Sequence, residues 1–194
     1  MSAPDDRVLW LIRHGETEWS LNGRHTSVTD LPLTDEGRAQ AGRLAPHLAA
    51  RRFAAIVVSP RLRARQTCEL SGAAGPPPIV DEDLAEWCYG DYEGLTSAQI
   101  RVGAPRWSLW TDGAPGGESP AAICARVDRL IARYHAGEGP VAFFGHGHVL
   151  RVVALRWLGW PLEQGAQLGL DTASIGRLGT AGGARCLLGW NRAS

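Results

Sequence analysis

The chain has 194 residues, of which 44% are hydrophobic and 21% charged, as in an ordinary globular domain with a sizeable core. Twenty arginines balance twenty acidic residues and there is no lysine, which excludes a Schiff-base or P-loop lysine mechanism. The protein therefore has no net positive charge that would attract nucleic acid or an acidic membrane. We therefore expect any anion site to be built locally.

Cysteine usage and the N-terminal sequence predict the compartment. The four cysteines are scattered and form no C-x-x-C pair, which predicts reduced thiols rather than a disulfide framework or a zinc site. The N-terminal stretch MSAPDDRVLWLIRHGE has acids where a signal peptide needs cations. No stretch approaches the roughly 18 apolar residues of a membrane span. We expect a cytoplasmic protein with a single domain over residues 1–194.

The first half of the chain predicts three strands and two helices. Residues 8–12 form a compact apolar run that ends in Arg-His-Gly, which is typical of a buried strand. Thr34 can cap a helix over residues 35–51, which Pro46 would kink or divide. A second buried strand is predicted at 56–58 and a helix at 61–70. Three prolines at 76–78 then lead into a short strand at 79–80.

The second half begins with a segment whose sequence shows little helical or strand periodicity. Residues 82–118 are rich in Gly, Trp and Asp and are predicted to be irregular, with one short helix after Thr96. Ser119 followed by proline starts a helix whose apolar stripe runs from Ile123 to Tyr134. A buried strand at 141–144 ends in Gly-His-Gly-His, and a helix over 149–158 follows. Two weaker strands are predicted near 174–178 and 185–190.

Strands that alternate with helices predict an α/β fold, a three-layer α/β/α sandwich with a mostly parallel central sheet. In such sheets ligands bind at the carboxyl ends of the strands. Arg13 and His14 follow the first strand and Arg63 follows the second. Glu86 lies a few residues beyond the third, and His146 follows the strand at 141–144. We therefore expect these five side chains at one edge of the sheet.

This set of side chains fits phosphoryl transfer through histidine. A neutral imidazole nitrogen can attack phosphorus and become a phosphohistidine. Guanidinium groups and a second imidazolium can hold the phosphoryl oxygens. A carboxylic acid can protonate the departing alkoxide and later activate water.

Four blocks of the sequence resemble the histidine phosphatase superfamily, the phosphoglycerate mutase-like group. They are LIRHGETEWSLNGRHTSVTDLPLTDEGRAQA, SPRLRARQT, LAEWCYGDYEGLT and FGHGHVLR, in the order and spacing of the family. The last three are similar to its sedoheptulose-bisphosphatase-like and acid-phosphatase-like branch. The resemblance implies a phosphoglycerate mutase-like fold and a phosphatase that needs no metal or cofactor. Its substrates would be monoesters of small metabolites, such as sugar phosphates.

The resemblance also implies roles for individual residues. His14 becomes the nucleophile and Glu86 the proton donor, while Arg13, Arg63 and His146 form the phosphate pocket. The loop over residues 20–29 would lie over the substrate. The candidate substrate-binding residues are Ser20, His25, Thr26, Ser27, Tyr89 and Arg151. Two positions depart from many relatives, which have Asn at position 20 and glycine at position 27.

Three alternatives remain beside the phosphatase. His146 and His148 could bind a metal ion, although only Glu86 supplies a carboxylate at the same edge. A mutase must hold a bisphosphorylated intermediate, and residues 81–93 carry six acids and no base, which favours the phosphatase. A non-catalytic phospho-ligand binding module would usually have lost the nucleophile or the acid, and this chain keeps both. Partners are expected to be small metabolites rather than nucleic acid or membrane, and a homodimer stays open.

Overall fold

The structure is a computed structural model that describes residues 7–193, and its centre is a six-stranded sheet. The strands are β1 (Leu9–Arg13), β2 (Ala55–Val58), β3 (Ile79–Val80), β4 (Val141–Gly145), β5 (Ile175–Ala181) and β6 (Ala184–Arg192). Their order in the sheet is β3-β2-β4-β1-β5-β6. The first four pair in parallel, whereas β5 pairs antiparallel with β1 and β6 antiparallel with β5. The predicted mostly parallel sheet is confirmed.

The helices of the described residues lie mainly between the strands. They are α1 (Glu18–Leu21), α2 (Asp35–Arg43), α3 (Ala45–Leu48), α4 (Leu62–Leu70), α5 (Ser97–Gly103), α6 (Leu109–Asp112), α7 (Pro120–His135) and α8 (Gly147–Leu158). Short 3-10 turns lie at Glu82–Leu84, Gly90–Tyr92 and Leu162–Gln167. The predicted caps Thr34, Thr96 and Ser119 each accept a hydrogen bond from a backbone N–H of the first turn.

The helices differ from the sequence-based prediction in four places. The helix expected over 35–51 is divided into α2 and α3, with Pro46 in the first turn of α3, where its missing N–H is tolerated. Helices α1 and α6 were not predicted, because four residues are too few to show a periodic pattern. Helix α8 begins at Gly147, two residues earlier than expected. That earlier start places two backbone N–H groups at the site described below.

Alternate residues of β1 contribute to two separate hydrophobic clusters. Leu9 and Leu11 pack with residues of α7 and α8, whereas Trp10 and Ile12 pack with residues such as Leu44 and Phe53. Successive side chains of a strand point to opposite faces of its sheet. The sheet is therefore covered on both faces, and the predicted three-layer α/β arrangement is confirmed.

Some expectations involve the chain termini. Residues 1–6 and 194 lie outside the described residues, so the acidic start of the chain is seen only in the sequence and the single domain over residues 1–194 stays a prediction. Within residues 7–193, no helix combines the length and the apolar character needed to cross a membrane.

The carboxyl ends of β1, β2 and β4 open at one edge of the sheet. His14 follows β1, and its backbone N–H donates to the carbonyl oxygen of Gly145, the last residue of β4, at 3.0 Å. The imidazole rings of His14 and His146 therefore lie close together, with centroids 5.2 Å apart. β2 leads through Ser59 into α4, which carries Arg63. The topology thus gathers the chemistry-bearing residues at this edge.

Candidate active site

A cavity of about 160 Å³ lies at this edge of the sheet. Its wall comes from the end of β1, the loop that follows, the segment after β3 and the start of α8. The lining residues are Arg13, His14, Thr17, Ser20, Gly23, Arg24, His25, Thr26, Glu86, Tyr89, Gly147, His148 and Arg151.

The surroundings of His14 leave one ring nitrogen unprotonated. Its Nδ1 lies 2.7 Å from the carbonyl oxygen of Gly15, and because a carbonyl can only accept, Nδ1 carries the proton and Nε2 keeps its lone pair. Burial holds the pKa of His14 well below its ordinary value, and Arg63 and Arg13 lower it further. His14 is therefore a neutral imidazole with a free nucleophilic nitrogen.

The backbone next to His14 is fixed by two glycines in close approach. A Cβ on Gly15 would lie 2.3 Å from the carbonyl oxygen of Gly37, and a Cβ on Gly37 would lie 2.1 Å from that of Glu16. Only glycine fits at both positions. The N–H of Gly15 also donates to Thr67 Oγ1 on α4 at 3.0 Å. These contacts fix the segment whose carbonyl orients the His14 ring.

Arg13 offers an unsatisfied donor beside His14. One Nη atom donates to the carbonyl oxygen of Leu170, but its buried Nε makes no hydrogen bond within residues 7–193. Burial lowers the pKa of Arg13 and the carboxylate of Glu86 opposes that change, and an arginine stays charged in either case. A buried cationic donor without a partner is suited to a phosphoryl oxygen.

Arg63 is fully buried and lies behind the cavity rather than in its lining. Its Nε donates to Nδ1 of His146 at 3.1 Å. Its Nη atoms donate to the carbonyl oxygens of Thr26 and Thr29, each at 3.0 Å. Arg63 therefore joins the loop over residues 20–29 to the second histidine.

Both ring nitrogens of His146 are occupied by neighbouring side chains. Nδ1 accepts from Arg63, and Nε2 lies 2.7 Å from Ser59 Oγ. Because arginine can only donate, the proton of the neutral ring is on Nε2. Burial holds the pKa of His146 well below its ordinary value, and Arg63 and His14 lower it further. These contacts favour a neutral His146, so the structure does not support the expected second imidazolium, which stays a prediction.

The carboxylate of Glu86 caps the N-terminus of α8. It accepts from the backbone N–H groups of Trp87 at 2.9 Å, Val149 at 2.8 Å and His148 at 3.0 Å. His146, the residue before α8, supplies no side-chain cap, so Glu86 satisfies two N–H groups of the first turn. Burial alone raises the pKa of Glu86, but contacts with the His148 side chain and backbone hold it well below its ordinary value. The carboxyl group is ionised here.

Tyr89 and His148 form a hydrogen-bonded pair in the cavity wall. Tyr89 Oη lies 2.7 Å from His148 Nδ1. Burial raises the pKa of Tyr89 well above its ordinary value, so the phenol keeps its proton. Burial, followed by the charge of Arg151, lowers the pKa of His148 to about 4. Both side chains are therefore neutral at pH 7.

Part of the loop over residues 20–29 lines the cavity. Ser20 forms a reciprocal pair of hydrogen bonds with Thr17, at 2.8 and 3.2 Å, which caps α1. The ring of His25 packs on Tyr89 with centroids 4.7 Å apart. Thr26 also borders the cavity, while its carbonyl oxygen is held by the guanidinium behind it. The loop is therefore an ordered wall.

Ser27 is directed away from the cavity and anchors the loop. It is 2% exposed, and its hydroxyl and N–H both donate to the carboxylate of Glu93. The N–H of Thr29 donates to the same carboxylate at 3.0 Å, and Ser27 Oγ accepts from the N–H of Tyr89 at 3.2 Å. The prediction that Ser27 contacts the substrate is not supported by this placement, because its polar atoms already have partners.

Most acids of the segment 81–93 point away from the cavity. Asp81 pairs with Arg133, and Asp83 pairs with Arg129 and Arg133. Among the acids of the described residues, only Glu86 lines the cavity, whereas three arginines do. The argument that this segment would repel a second phosphate is therefore wrong, since sequence position did not reveal where the carboxylates point.

The His-x-His sequence at the end of β4 does not gather metal ligands. Nε2 of His146 faces Ser59, and Nδ1 of His148 faces Tyr89. Within residues 7–193, no group of three or more His, Cys, Asp or Glu side chains is placed to share one ion. This arrangement disfavours the metal-hydrolase alternative.

The pairing of a free imidazole nitrogen with a cationic donor and a carboxylate agrees with what the sequence matches. Residues 9–193 match the histidine phosphatase superfamily (branch 1). The chain belongs to this superfamily.

The similarity of this histidine phosphatase to known proteins extends along the whole fold. An acid phosphatase of Mycobacterium tuberculosis is 44% identical over 192 residues, which covers 96% of this chain and 93% of that protein. The sedoheptulose 1,7-bisphosphatase of Saccharomyces cerevisiae is 39% identical over 185 residues, covering 79% and 68%. A solved structure from a Mycobacterium tuberculosis open reading frame has a TM-score of 0.89 and 40% identity, covering 97% and 98%. Phosphoglycerate mutases are also among the relatives.

The structure brings most of the predicted site residues of this histidine phosphatase together. Those that line the cavity are Arg13, His14, Ser20, His25, Thr26, Glu86, Tyr89 and Arg151. Arg63 and His146 lie directly behind His14, and Ser27 faces elsewhere. The roles of these residues in catalysis stay predictions.

Sequence reasoning missed several lining residues. Thr17, Gly23, Arg24 and Gly147 were not singled out, and His148 was considered only as a metal ligand. The positive charge of Arg24 within the expected substrate loop was a signal that could have identified it. Nothing in the local sequence indicated Gly147, which lines the cavity because α8 begins there.

Proposed function

We propose that this histidine phosphatase hydrolyses monoesters of small phosphorylated metabolites, with sugar phosphates as its substrate class, through a phosphohistidine on His14. The observation that carries the proposal is the free Nε2 lone pair of His14, enforced by the Gly15 carbonyl. The Nε donor of Arg13, which has no partner within residues 7–193, is the second supporting observation. The names of two relatives, an acid phosphatase and a sugar bisphosphatase, support the substrate class.

In the first step Nε2 of His14 attacks phosphorus and the bond from phosphorus to the ester oxygen breaks. Arg13 donates to the phosphoryl oxygens, whose charge persists through the transition state. Glu86 gives its proton to the departing alkoxide. In the second step water attacks the phosphohistidine, Glu86 takes the proton of that water, and phosphate and free His14 result.

Glu86 must gain a proton before it can give one. The backbone N–H groups of the α8 terminus favour the ionised carboxylate. A phosphoryl dianion in the same cavity adds a like charge, and like charges raise the pKa of a carboxyl group. We propose that substrate binding raises the pKa of Glu86 enough for it to act as an acid.

We propose that the reaction needs no metal ion and no cofactor, as in an acid phosphatase of the histidine type. Guanidinium groups can supply the positive charge that a metal ion supplies in metal-dependent phosphatases. Arg13 provides one such group in the cavity, and Arg63 provides a second directly behind His14.

Phosphoglycerate mutase activity is the second candidate, and one observation favours it. Arg24 and Arg151 line the cavity together with Arg13, so cations are present that could hold a second acidic group. A mutase would transfer the phosphoryl group from His14 to another hydroxyl instead of to water. A non-catalytic binding module is disfavoured, because the nucleophile and the acid are both present in the same cavity.

A rapid-quench experiment tests the proposed function. A radiolabelled sugar phosphate mixed with the native protein should leave an acid-labile, base-stable phosphoryl group on His14, with net phosphate release in the steady state. EDTA treatment should leave the rate unchanged. His14→Ala should abolish both signals while circular dichroism shows an intact fold, and His47→Ala, at an exposed position on α3, serves as the matched control.

Three results would contradict parts of this proposal. Turnover that persists in His14→Ala contradicts the proposed phosphohistidine intermediate. Loss of activity with EDTA, restored by zinc or manganese, contradicts the proposal that the reaction needs no metal ion. Interconversion of phosphoglycerates with little free phosphate favours the mutase.

A further inference from the structure

His148 lines the cavity but has no part in the reaction proposed above. It is the second residue of α8, and its side chain is 19% exposed. Its ring packs between the rings of Tyr89, Trp110 and His25, with centroid distances of 5.7, 5.3 and 5.9 Å. Its backbone N–H is held by the carboxylate of Glu86 at 3.0 Å. The ring is therefore held in one orientation.

Tyr89 decides which nitrogen of His148 carries the proton. A buried phenol O–H needs an acceptor, and His148 Nδ1, at 2.7 Å, is the hydrogen-bond partner of Oη within residues 7–193. The phenol donates, so Nδ1 accepts and the ring proton is on Nε2. Glu86 Oε2 lies 3.8 Å from Nδ1, longer than a normal hydrogen bond, so Tyr89 Oη is the nearer partner of this nitrogen.

His14 and His148 thus present opposite tautomers. His14 offers a lone pair at Nε2, because the carbonyl of Gly15 takes the Nδ1 proton. His148 offers an N–H at Nε2, because Tyr89 donates to its Nδ1. Within the described part of the chain, the contact with Tyr89 is the hydrogen bond of this side chain, so Nε2–H has no protein acceptor. That donor is available to a ligand.

The chemistry of this donor matches one part of a sugar phosphate. The neighbouring arginines supply positive charge for the phosphate, whereas the His148 ring is neutral at pH 7, since its pKa is lowered to about 4. A neutral N–H suits the oxygen of a hydroxyl group, and a site built to bond a hydroxyl strongly disfavours analogues that lack it.

We propose that His148 is a specificity-determining residue that donates a hydrogen bond from Nε2 to a hydroxyl oxygen in the alcohol part of the substrate. Tyr89 is the positioning residue that fixes the required tautomer. The proposal rests on the phosphatase function proposed above and names the part of the substrate that this wall of the cavity recognises.

A matched pair of substrates tests the recognition. Glycerol 3-phosphate carries two hydroxyl groups in its alcohol part, and propyl phosphate carries none. His148→Leu removes the donor and should lower kcat/KM for glycerol 3-phosphate about tenfold, the size expected for one hydrogen bond, while propyl phosphate changes less than about threefold. His148→Gln keeps an N–H near the position of Nε2 and should restore most of the loss. Circular dichroism shows whether each variant is folded.

Nitrogen-15 NMR tests the tautomer directly. The native protein should show the His148 proton on Nε2, and Tyr89→Phe should populate both tautomers and reduce the preference for glycerol 3-phosphate. A proton on Nδ1 in the native protein overturns the proposal. So does an equal loss on both substrates in His148→Leu. If the phosphoryl group on His14 still forms in that case, the proposed phosphatase function survives and only the role of His148 fails.

Discussion

The two ends of the cavity are built in different ways. At the phosphate end, Arg13 ends β1, His14 follows it, and His146 follows β4, whose register with β1 pairs Arg13 with Gly145. At the alcohol end, Glu86 and Tyr89 come from an irregular segment and meet His148 only through side-chain and capping contacts. The phosphate end is positioned by the pairing of β1 with β4, and the alcohol end is positioned by side-chain and capping contacts.

This difference separates two kinds of function. Residues fixed by neighbouring strands are proposed to hold the phosphoryl group that every substrate shares, so changes there should affect all substrates. Residues held by the irregular segment are proposed to face the variable alcohol, so changes there should affect substrates unequally. Each of the following experiments tests that distinction.

The largest expected effect is at Glu86, which belongs to the alcohol end and is proposed to give its proton to the departing alkoxide. Glu86→Gln should slow hydrolysis of a sugar phosphate by about 10²–10⁴, because a sugar alkoxide cannot leave without a proton. Nitrophenolate leaves as an anion, so phosphorylation of His14 by nitrophenyl phosphate should be largely spared. Burst kinetics separate this step from the later hydrolysis, which also uses Glu86.

The neighbouring Asp91 gives the control for that experiment. Asp91 is exposed and does not line the cavity, so Asp91→Asn should leave both substrates unaffected. If Glu86→Gln slows phosphorylation equally with both substrates, Glu86 acts as a structural cap rather than as the proton donor.

The next effect is expected at Arg63. Arg63→Ala should lower turnover of every substrate by up to about 10²–10³, the cost of one direct donor, because the site loses a nearby positive charge and His146 loses the partner that orients it. It should also lower the free energy of unfolding by on the order of 2–4 kcal/mol, because the loop carbonyls and His146 lose a buried donor. Steady-state rates and urea denaturation measure the two effects.

Arg65 lies two residues away on the same helix and is exposed. Arg65→Ala should therefore change neither the rates nor the stability by much. A loss in Arg63→Ala that depends on the substrate would place Arg63 functionally with the alcohol end and contradict the distinction.

The smallest expected effect is the dependence of stability on pH. His14, His146 and His148 have lowered pKa values in the folded protein, whereas the unfolded chain binds a proton at each near pH 6.5. Their contribution is therefore complete above about pH 6.5 and is lost as the pH falls toward the folded values, by up to about 1.4 kcal/mol per histidine and pH unit.

Substitutions can divide this dependence between the two ends of the cavity. His148→Gln should reduce the slope of unfolding free energy against pH by one proton between pH 6 and pH 5, as measured by urea denaturation. His47→Gln, at an exposed site on α3, is the control substitution. An unchanged slope in His148→Gln would show that this ring is protonated in the folded protein.

The phosphate end could be predicted because short-range patterns determine it. An apolar run followed by Arg13 and His14 gives both a buried strand and its end, and parallel strands end at a common edge. The assignment of Arg63 to the phosphate pocket came from the family resemblance. The structure places Arg63 fully buried behind the cavity, and its part in holding phosphate stays a prediction.

The alcohol end could not be predicted, because its contacts join residues far apart in the sequence. Ser27 bonds to Glu93 across 66 positions, and Asp81 bonds to Arg133 across 52. Neither partner is visible from local composition, so Ser27 was expected at the substrate and the acids of 81–93 were expected to repel phosphate. The start of α8 at Gly147 was missed for the same reason, since its cap, Glu86, lies outside the local sequence.

That cap ties the chemistry of this protein to its architecture. Helix α8 carries eight buried residues, from Gly147 to Trp157, and begins on the carboxylate proposed to give and take the proton. A substitution that removes the acceptor oxygens of Glu86 should therefore weaken the first turn of a core helix as well as the proposed proton transfer. The same side chain thus couples the stability of α8 to the reaction.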